Sequence, residues 1–322
     1  SLPKVIFPEI KYIKNDPDSK ILSYLFKIKN YFLKQFKQKF LSEEAALLGG
    51  IILGDRSGFS KEFKEAMNNS GTTHIVALSG YNVGILILGI NLFLGYFLGR
   101  KKVFFFIIFF ILAFVFMTGA QASVIRASIL AIFALLASYV GRIYSFFHSV
   151  VFGAFLMVLV DPKILVYDLS FQLSFLSLLG IVYFKSIFDK IFGFQKTDLG
   201  FLNWKDNLTT TLAAQFGVLP LLLLSFGKVS IISFLANILI LAFIPLTMFL
   251  GFLVGLLGTI DPLGLIISFL TSFILKYEIN VIKFFGQFPT LDNNFISWFF
   301  IILIYVFLIF YFFRLKGYKL NV

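Results

Sequence analysis

The chain has 322 residues, of which 59% are hydrophobic, 19% aromatic and only 14% charged. That is more apolar surface than one soluble domain can bury, so the sequence reads as a membrane protein. With a formal charge of +12 and no cysteine, it has no disulfide framework, no thiol nucleophile and no thiolate metal site.

The chain opens on Ser1 without a charged n-region, short apolar stretch and small-residue cleavage site, and so reads as a piece of a longer protein. Residues 1–19, broken by Pro3, Pro8 and Pro17, are expected to be extended or looped, as the end of a preceding exterior domain would be. Residues 20–71 follow as a basic amphipathic helix and a helical hairpin. In KILSYLFKIKNYFLKQFKQKFL, Ile21, Leu25, Ile28, Phe32, Phe36 and Phe40 recur at helical steps beside six lysines and no acid. Lys20, Lys27, Lys34 and Lys37 fall opposite that stripe, while Lys39 falls on it. Such a helix is expected to lie in the interface plane, its lysines toward lipid head groups or nucleic acid. The hairpin is an apolar helix, a turn containing Asp55 and Arg56, and a short helix capped by Ser60 and stopped near Gly71.

From residue 72 to 322 the chain is a succession of apolar stretches, giving an all-α polytopic integral membrane protein with about ten embedded segments. They are 73–98, 103–118, 122–140, 146–160, 169–184, 208–224, 230–244, 246–258, 265–285 and 295–313. The pieces either side of Pro245 read as one kinked or broken helix, and 246–258 is short enough to be re-entrant. With the 100–102 loop inside, the cytoplasmic set holds Arg100, Lys101, Lys102, Arg142, Lys185, Lys190, Lys196 and Lys205. Lys163, Lys228, Arg314, Lys316 and Lys319 are then outside. This bias places residues 1–70 and the C-terminal end on the exterior.

Ionisable and amide residues at membrane depth are functional candidates. Arg126 lies in GAQASVIRASILA, Gln172 in DLSFQLSFLSLLG, Gln215 before Pro220 and Asn237 before Pro245. Each amide can equally tie helices together, and Arg126 can snorkel from its place near a helix end. The first span is the most polar. In NNSGTTHIVALSGYNVGILI, taken as one helix from His74, Tyr81 falls at about −20°, Asn82 at about 80° and Ser79 at about 140°. No single face holds them, so a break around Gly80 and Gly84 is expected, leaving half-helix ends to line a cavity. Gly80 is expected to mark a close backbone approach.

LLGGIILGDRSGFSKEFKEAMNNSGTTHIVALSGYNVGILI resembles the opening of the competence domain of ComEC-type DNA-uptake proteins. There a Gly-Asp turn is followed by Gly-Thr/Ser-x-His and a Ser-Gly pair entering a membrane helix. GAQASVIRASIL, DPKILVYDLSFQLSFLSLLGI and AAQFGVLPLLLLSFGKVSIISFLANILILAFIP resemble later family segments, so the likeness covers roughly residues 45 to 250. Where the family usually places a second histidine, this sequence has Asn82, which can hydrogen-bond a phosphate or backbone but cannot titrate.

The resemblance implies a multi-pass channel in the bacterial cytoplasmic membrane that carries single-stranded transforming DNA during natural competence. His74, Ser79, Gly80, Asn82, Arg126, Gln172, Gln215 and Asn237 would lie along its path, with no catalytic residue, cofactor or metal. Its partners would be single-stranded DNA, membrane lipids, a DNA-binding receptor, an exterior nuclease and a cytoplasmic ATP-driven motor. The chain itself carries no GxxxxGK[ST] sequence, and its two histidines are too few for the lactamase-like nuclease of larger relatives.

An intramembrane serine hydrolase using Ser79 and His148 is the rival from another class, although the glycine expected two positions before such a serine is missing. A passive membrane scaffold for a DNA-uptake assembly is the third reading.

The orientation is open to a direct check. A single cysteine at position 196 of the cysteine-free chain is expected to resist impermeant thiol reagents in intact cells and to react once the membrane is opened. Labelling of intact cells would reverse the assignment.

Overall fold

The computed structural model describes residues 20–76, 78, 80–143, 145–194, 204–226, 228–230 and 232–292, together with 299, 302 and 306. The expected extended segment 1–19, the span 295–313 as a continuous unit, Ser79 and the basic tail from Arg314 lie outside the described residues. The described chain is helical apart from one two-stranded ribbon.

The order begins with α1 (Lys20–Lys39), α2 (Ser42–Leu53), α3 (Lys61–Asn69), α4 (Thr73–Val76), α5 (Gly80–Phe97), α6 (Arg100–Met117) and α7 (Ala122–Val140). It continues with α8 (Phe146–Val160), α9 (Ile164–Tyr167), α10 (Leu169–Ile191), α11 (Trp204–Phe226), α12 (Ser233–Leu241), α13 (Ile244–Leu257) and α14 (Leu263–Phe285). Strands β1 (Lys228–Ser230) and β2 (Thr290–Asp292) pair antiparallel, with Val229 opposite Leu291. Residues 228–230, expected as a loop ending at the first residue of the span 230–244, are therefore a strand.

By length and composition, α7, α10, Lys205–Ser225 of α11 and α14 are long and apolar enough to cross a membrane, four among the described residues. The α12–α13 pair makes a fifth if counted as one span, bent by 48° at its break. Pro245 sits in the first turn of α13, where its missing N–H costs nothing, which accounts for the break expected there. Apolar stretches in α5 and α8 are shorter, and α6 begins with Arg100, Lys101 and Lys102.

The packing centre is α2. Leu47, Leu48, Ile51 and Leu53 are fully buried with Phe36 of α1, Phe63 of α3, Ile244 and Val254 of α13, and Leu275 and Ile282 of α14. The apolar stripe of α1 is thus divided. Of its described members, Phe32, Phe36 and Phe40 pack on protein, whereas Ile28 is exposed, as are Tyr24 and Phe26 beside it. The apolar face of α1 is therefore free only in its N-terminal half, since its C-terminal half packs against α2 and α13, while Lys34 and Lys37 stay exposed on the opposite side. Lys39, on the stripe, pairs with Asp261 at 3.9 Å. A second cluster joins Leu78, Val83, Ile107, Ile111, Val124 and Ala127 across α5, α6 and α7. Large outward residues such as Leu92, Phe105 and Phe269 are exposed, as side chains facing hydrocarbon rather than water would be.

A close backbone approach joins α10 and α11, whereas Gly80 makes none among the described residues. A Cβ on Gly180 would lie 2.5 Å from the Ala213 carbonyl oxygen and 2.9 Å from the Gly217 Cα, and one on Gly217 would strike the Leu176 carbonyl. The two helices run antiparallel, with Lys185 and Asp206 paired at one end. Small residues at the crossing let the backbones meet, the usual device where lipid offers no hydrophobic drive to association. At Gly80 a Cβ would sit 3.6 Å from that of Ala127, an ordinary contact.

Gly180→Leu or Gly217→Leu should therefore destabilise the detergent-solubilised protein by at least about 1–3 kcal/mol, since backbone cannot move aside as a side chain can. Gly84→Leu, where a Cβ meets nothing within 4 Å, is expected to leave the thermal unfolding midpoint near that of the parent.

Candidate functional site

The first polar span is interrupted, but one step earlier than expected. The chain leaves α4 at Val76 and starts α5 at Gly80, with Gly84 inside the helix. Glycine's helix cost of about 1 kcal/mol does not break α5 at Gly84, because an open backbone in hydrocarbon costs more.

The interruption is held from two sides. Ser123, one turn before Arg126 on α7, donates its hydroxyl to the Leu78 carbonyl at 2.7 Å. Asn82 is buried and donates from Nδ2 to the Ile51 carbonyl at 2.8 Å. That carbonyl belongs to the last turn of α2, where no further helical N–H follows. Asn82 thus closes an open acceptor, a task requiring an N–H donor rather than a charge. An imidazole N–H could fill the same role.

The turn after α2 seats against the same place. Gly54 has a φ of 67°, and the Gly54 and Asp55 N–H groups bond back to the Gly50 and Gly49 carbonyls. A Cβ on Gly54 would press on Leu78 and lie 3.1 Å from Nε2 of Gln121. Asp55 accepts from the Ser57 N–H at 3.1 Å, while Arg56 is exposed. A shallow cleft separates this turn from α1, lined by Leu33, Lys37, Phe40, Gly49, Asp55 and Ser57. Near it, burial pushes the Lys29 ammonium pKa down, with the Asp55 carboxylate opposing.

A second group of motif residues meets at α12. His74 Nδ1 lies 3.1 Å from the Gly71 carbonyl, and a Cβ on Gly71 would lie 3.3 Å from Ser233 Oγ. Ser233 accepts from Gln215 Nε2 at 2.9 Å and donates to the Ser230 carbonyl at 2.9 Å. His74 and Gln215, far apart in sequence, are therefore linked through Gly71 and Ser233. Asn237 lies one turn along α12 from Ser233, buried, with neither Nδ2 nor Oδ1 hydrogen-bonded among the described residues.

The other expected wall residues lie elsewhere. Arg126 is buried on α7, its guanidinium 5.5 Å from the Phe175 ring centre, with Nη1 unpartnered among the described residues. Gln172 donates to the Leu165 and Val166 carbonyls at 2.9 and 3.0 Å, closing the end of α9. Lys20, Lys27, Lys34 and Lys37 are all exposed on α1, with Lys27 over the Tyr24 ring. Ser145, at the start of α8, lies 2.6 Å from His148 Nδ1, so the described serine beside that histidine is a neighbour on the same turn. Among the described residues no group of three or more His, Asp or Glu side chains is placed to hold a metal.

Two buried acids escaped the sequence reading. Glu44 of α2 accepts from Ser272 at 2.9 Å, and Oε1 of Glu278 on α14 lies 2.6 Å from the Thr247 hydroxyl oxygen. An acid within an apolar run of this length is itself the signal that would have found Glu278. Ser123 and Ser233 carried no comparable signal, because an isolated hydroxyl in an apolar helix is common.

The profile of the family described as Competence protein matches residues 51–317. ComE operon protein 3 of Bacillus subtilis (strain 168) is 31% identical over 218 residues, which cover 67% of this chain and 26% of that relative. No solved structure matches.

The Asn82 contact makes a stability prediction. Asn82→Leu should cost about 1–3 kcal/mol by leaving a buried carbonyl without its donor. Asn82→His should recover most of that loss in the thermal unfolding midpoint. Equal losses in the two variants would show that shape, not the donor, matters at this position.

Proposed function

The chain belongs to the competence protein family, and we propose that it forms the membrane channel domain that passes single-stranded transforming DNA across the bacterial cytoplasmic membrane. The observation that carries this reading is the interrupted segment between Val76 and Gly80, flanked by family-like motif residues and tied to α2 and α7. Irregular backbone at membrane depth belongs where it is enclosed by protein or lines a water-filled passage. The 267-odd residues of the family match include this segment and the Gln215–Ser233 group, so the proposal assigns both to one conduit.

Within that conduit the residues divide by task. Asn82, Gln172 and Gln215 brace the helix ends and crossings, using their amides on protein partners. Arg126 and Asn237 keep polar atoms unpartnered among the described residues, and these are the groups offered to a passing phosphodiester. His74 supplies an exposed imidazole and Gly80 opens α5 without a side chain, while Ser79 is assigned to the same path from its place in the motif. None acts as a catalyst in this reading.

The full membrane domain would have about ten embedded segments, including 295–313, with both chain ends on the exterior. The exposed N-terminal half of α1 would rest on the membrane surface, its lysines within reach of arriving DNA. A DNA-binding receptor, an exterior nuclease and a cytoplasmic ATP-driven motor would complete the machinery.

Reconstitution in vesicles with encapsulated nuclease tests transport directly. Added single strands should be degraded inside and duplexes spared; neither entering, with the protein verifiably inserted, would defeat the channel reading for this chain. Arg126→Gln should lower uptake, and Ser79→Ala should reduce it without abolishing it, whereas a serine hydrolase would lose all chemistry. Neutralising Lys27, Lys34 and Lys37 should flatten the logarithmic salt slope of single-strand binding by about 2.

A further inference from the structure

Glu278 is the lone acid in α14 and has no solvent-exposed surface. Its Oε1 lies 2.6 Å from Thr247 Oγ1 of α13, and Oε2 has no hydrogen-bond partner among the described residues. The Thr247 hydroxyl also lies 3.2 Å from the Phe243 carbonyl, one helical turn back. A hydroxyl has only one hydrogen to share between these acceptors.

The surrounding elements bring no cation to the carboxyl. Helices α12 and α13 contain no ionisable side chain. On α2, Glu43 pairs with Lys283 at 2.6 Å and Glu44 accepts from Ser272. Helix α3 contributes Lys61, Glu62, Lys64 and Glu65, while α14 itself adds Lys276, Tyr277 and Lys283. No ion pair to Glu278 is formed among the described residues.

An ionised Glu278 would therefore be a fully buried charge stabilised by one neutral hydroxyl, with its second oxygen bare, an arrangement that does not offset loss of water. A neutral carboxylic acid fits every contact. Its O–H donates to Thr247, and the Thr247 hydroxyl then donates to the Phe243 carbonyl. Oε2 remains as a carbonyl oxygen, the less costly group to leave unpaired.

We propose that Glu278 is a proton-binding site within the membrane domain, held as the neutral acid by Thr247 and Phe243 and latching α14 to α13. Release transfers the proton to water and leaves a carboxylate facing a hydroxyl whose hydrogen is engaged elsewhere. Thr247 must then turn from Phe243, or the helices must part to admit water. The latch is distinct from the proposed DNA path, and its test involves no DNA.

Infrared spectroscopy of the full chain in lipid nanodiscs, with carbon-13 glutamate labelling, reads the state of the carboxyl. At about pH 7 a free glutamate is ionised roughly 500-fold over its acid form, so a protonated-glutamate band there reports a held proton. The band should be present, shift in heavy water, persist in Glu44→Gln and vanish in Glu278→Gln. Thr247→Val should move it by removing its hydrogen bond. The wild-type thermal midpoint should fall as pH rises through the release of this proton, and Glu278→Gln should lose that component. Absence of the band from the labelled wild type would overturn the proposal even if no variant folds. Loss of the band on adding sodium at constant pH would replace the proton with a metal cation and overturn it equally.

Discussion

A membrane protein can interrupt a helix only where something else satisfies the freed backbone, and that constraint governs the organisation of this chain. The interruption between α4 and α5 sits where two other helix ends arrive. The last turn of α2 presents an open carbonyl and the start of α7 presents a serine hydroxyl. Asn82 and Ser123 make these ends mutually dependent. The buried apolar surface of α2 keeps them together, so the most polar part of the first span is supported by the most apolar helix of the preceding hairpin.

That arrangement gives the Gly-Asp-Arg-Ser-Gly turn a physical role. Its left-handed glycine ends α2 and presses against Leu78, leaving no room there for a side chain. The turn is thus the back wall of the interruption. A similar economy operates at the Gly71–Ser233 contact, where the residues before His74 meet the start of α12 and Gln215 completes the link. Polar side chains that look like pore lining in a linear reading are partly engaged in holding helix ends. Arg126 and Asn237 differ in keeping buried polar atoms without a hydrogen-bond partner among the described residues.

The helices away from this junction follow the logic of lipid-facing assembly. Bare backbone at Gly180 and Gly217 allows α10 and α11 to touch, while bulky phenylalanines project outward from α6 and α14. The two buried acids are each met by a hydroxyl: Glu44 by Ser272 and Glu278 by Thr247. Hydroxyl partners add no charge to the hydrocarbon region, and a carboxyl paired with one responds to protons rather than to a fixed counter-ion.

The sequence by itself determined the solvent, the helical class and most helix positions, because apolar runs and caps are local. The bounds 122–140 and 146–160 coincide with α7 and α8, and Ser60 caps α3 as expected. The ordered motifs were enough to bring out the family likeness. Tertiary structure alone decided that the first span breaks before Gly80, that half of the α1 stripe packs on protein, and that 228–230 forms a strand. It also decided which amides brace helix ends, which meet no partner among the described residues, and which acid shares a hydroxyl with a neighbouring helix. These features depend on the distance between residues remote along the chain: Asn82 is 31 positions from Ile51, as Glu278 is from Thr247. Helical periodicity describes the face a residue occupies on its own helix, and only packing selects the helix that meets it.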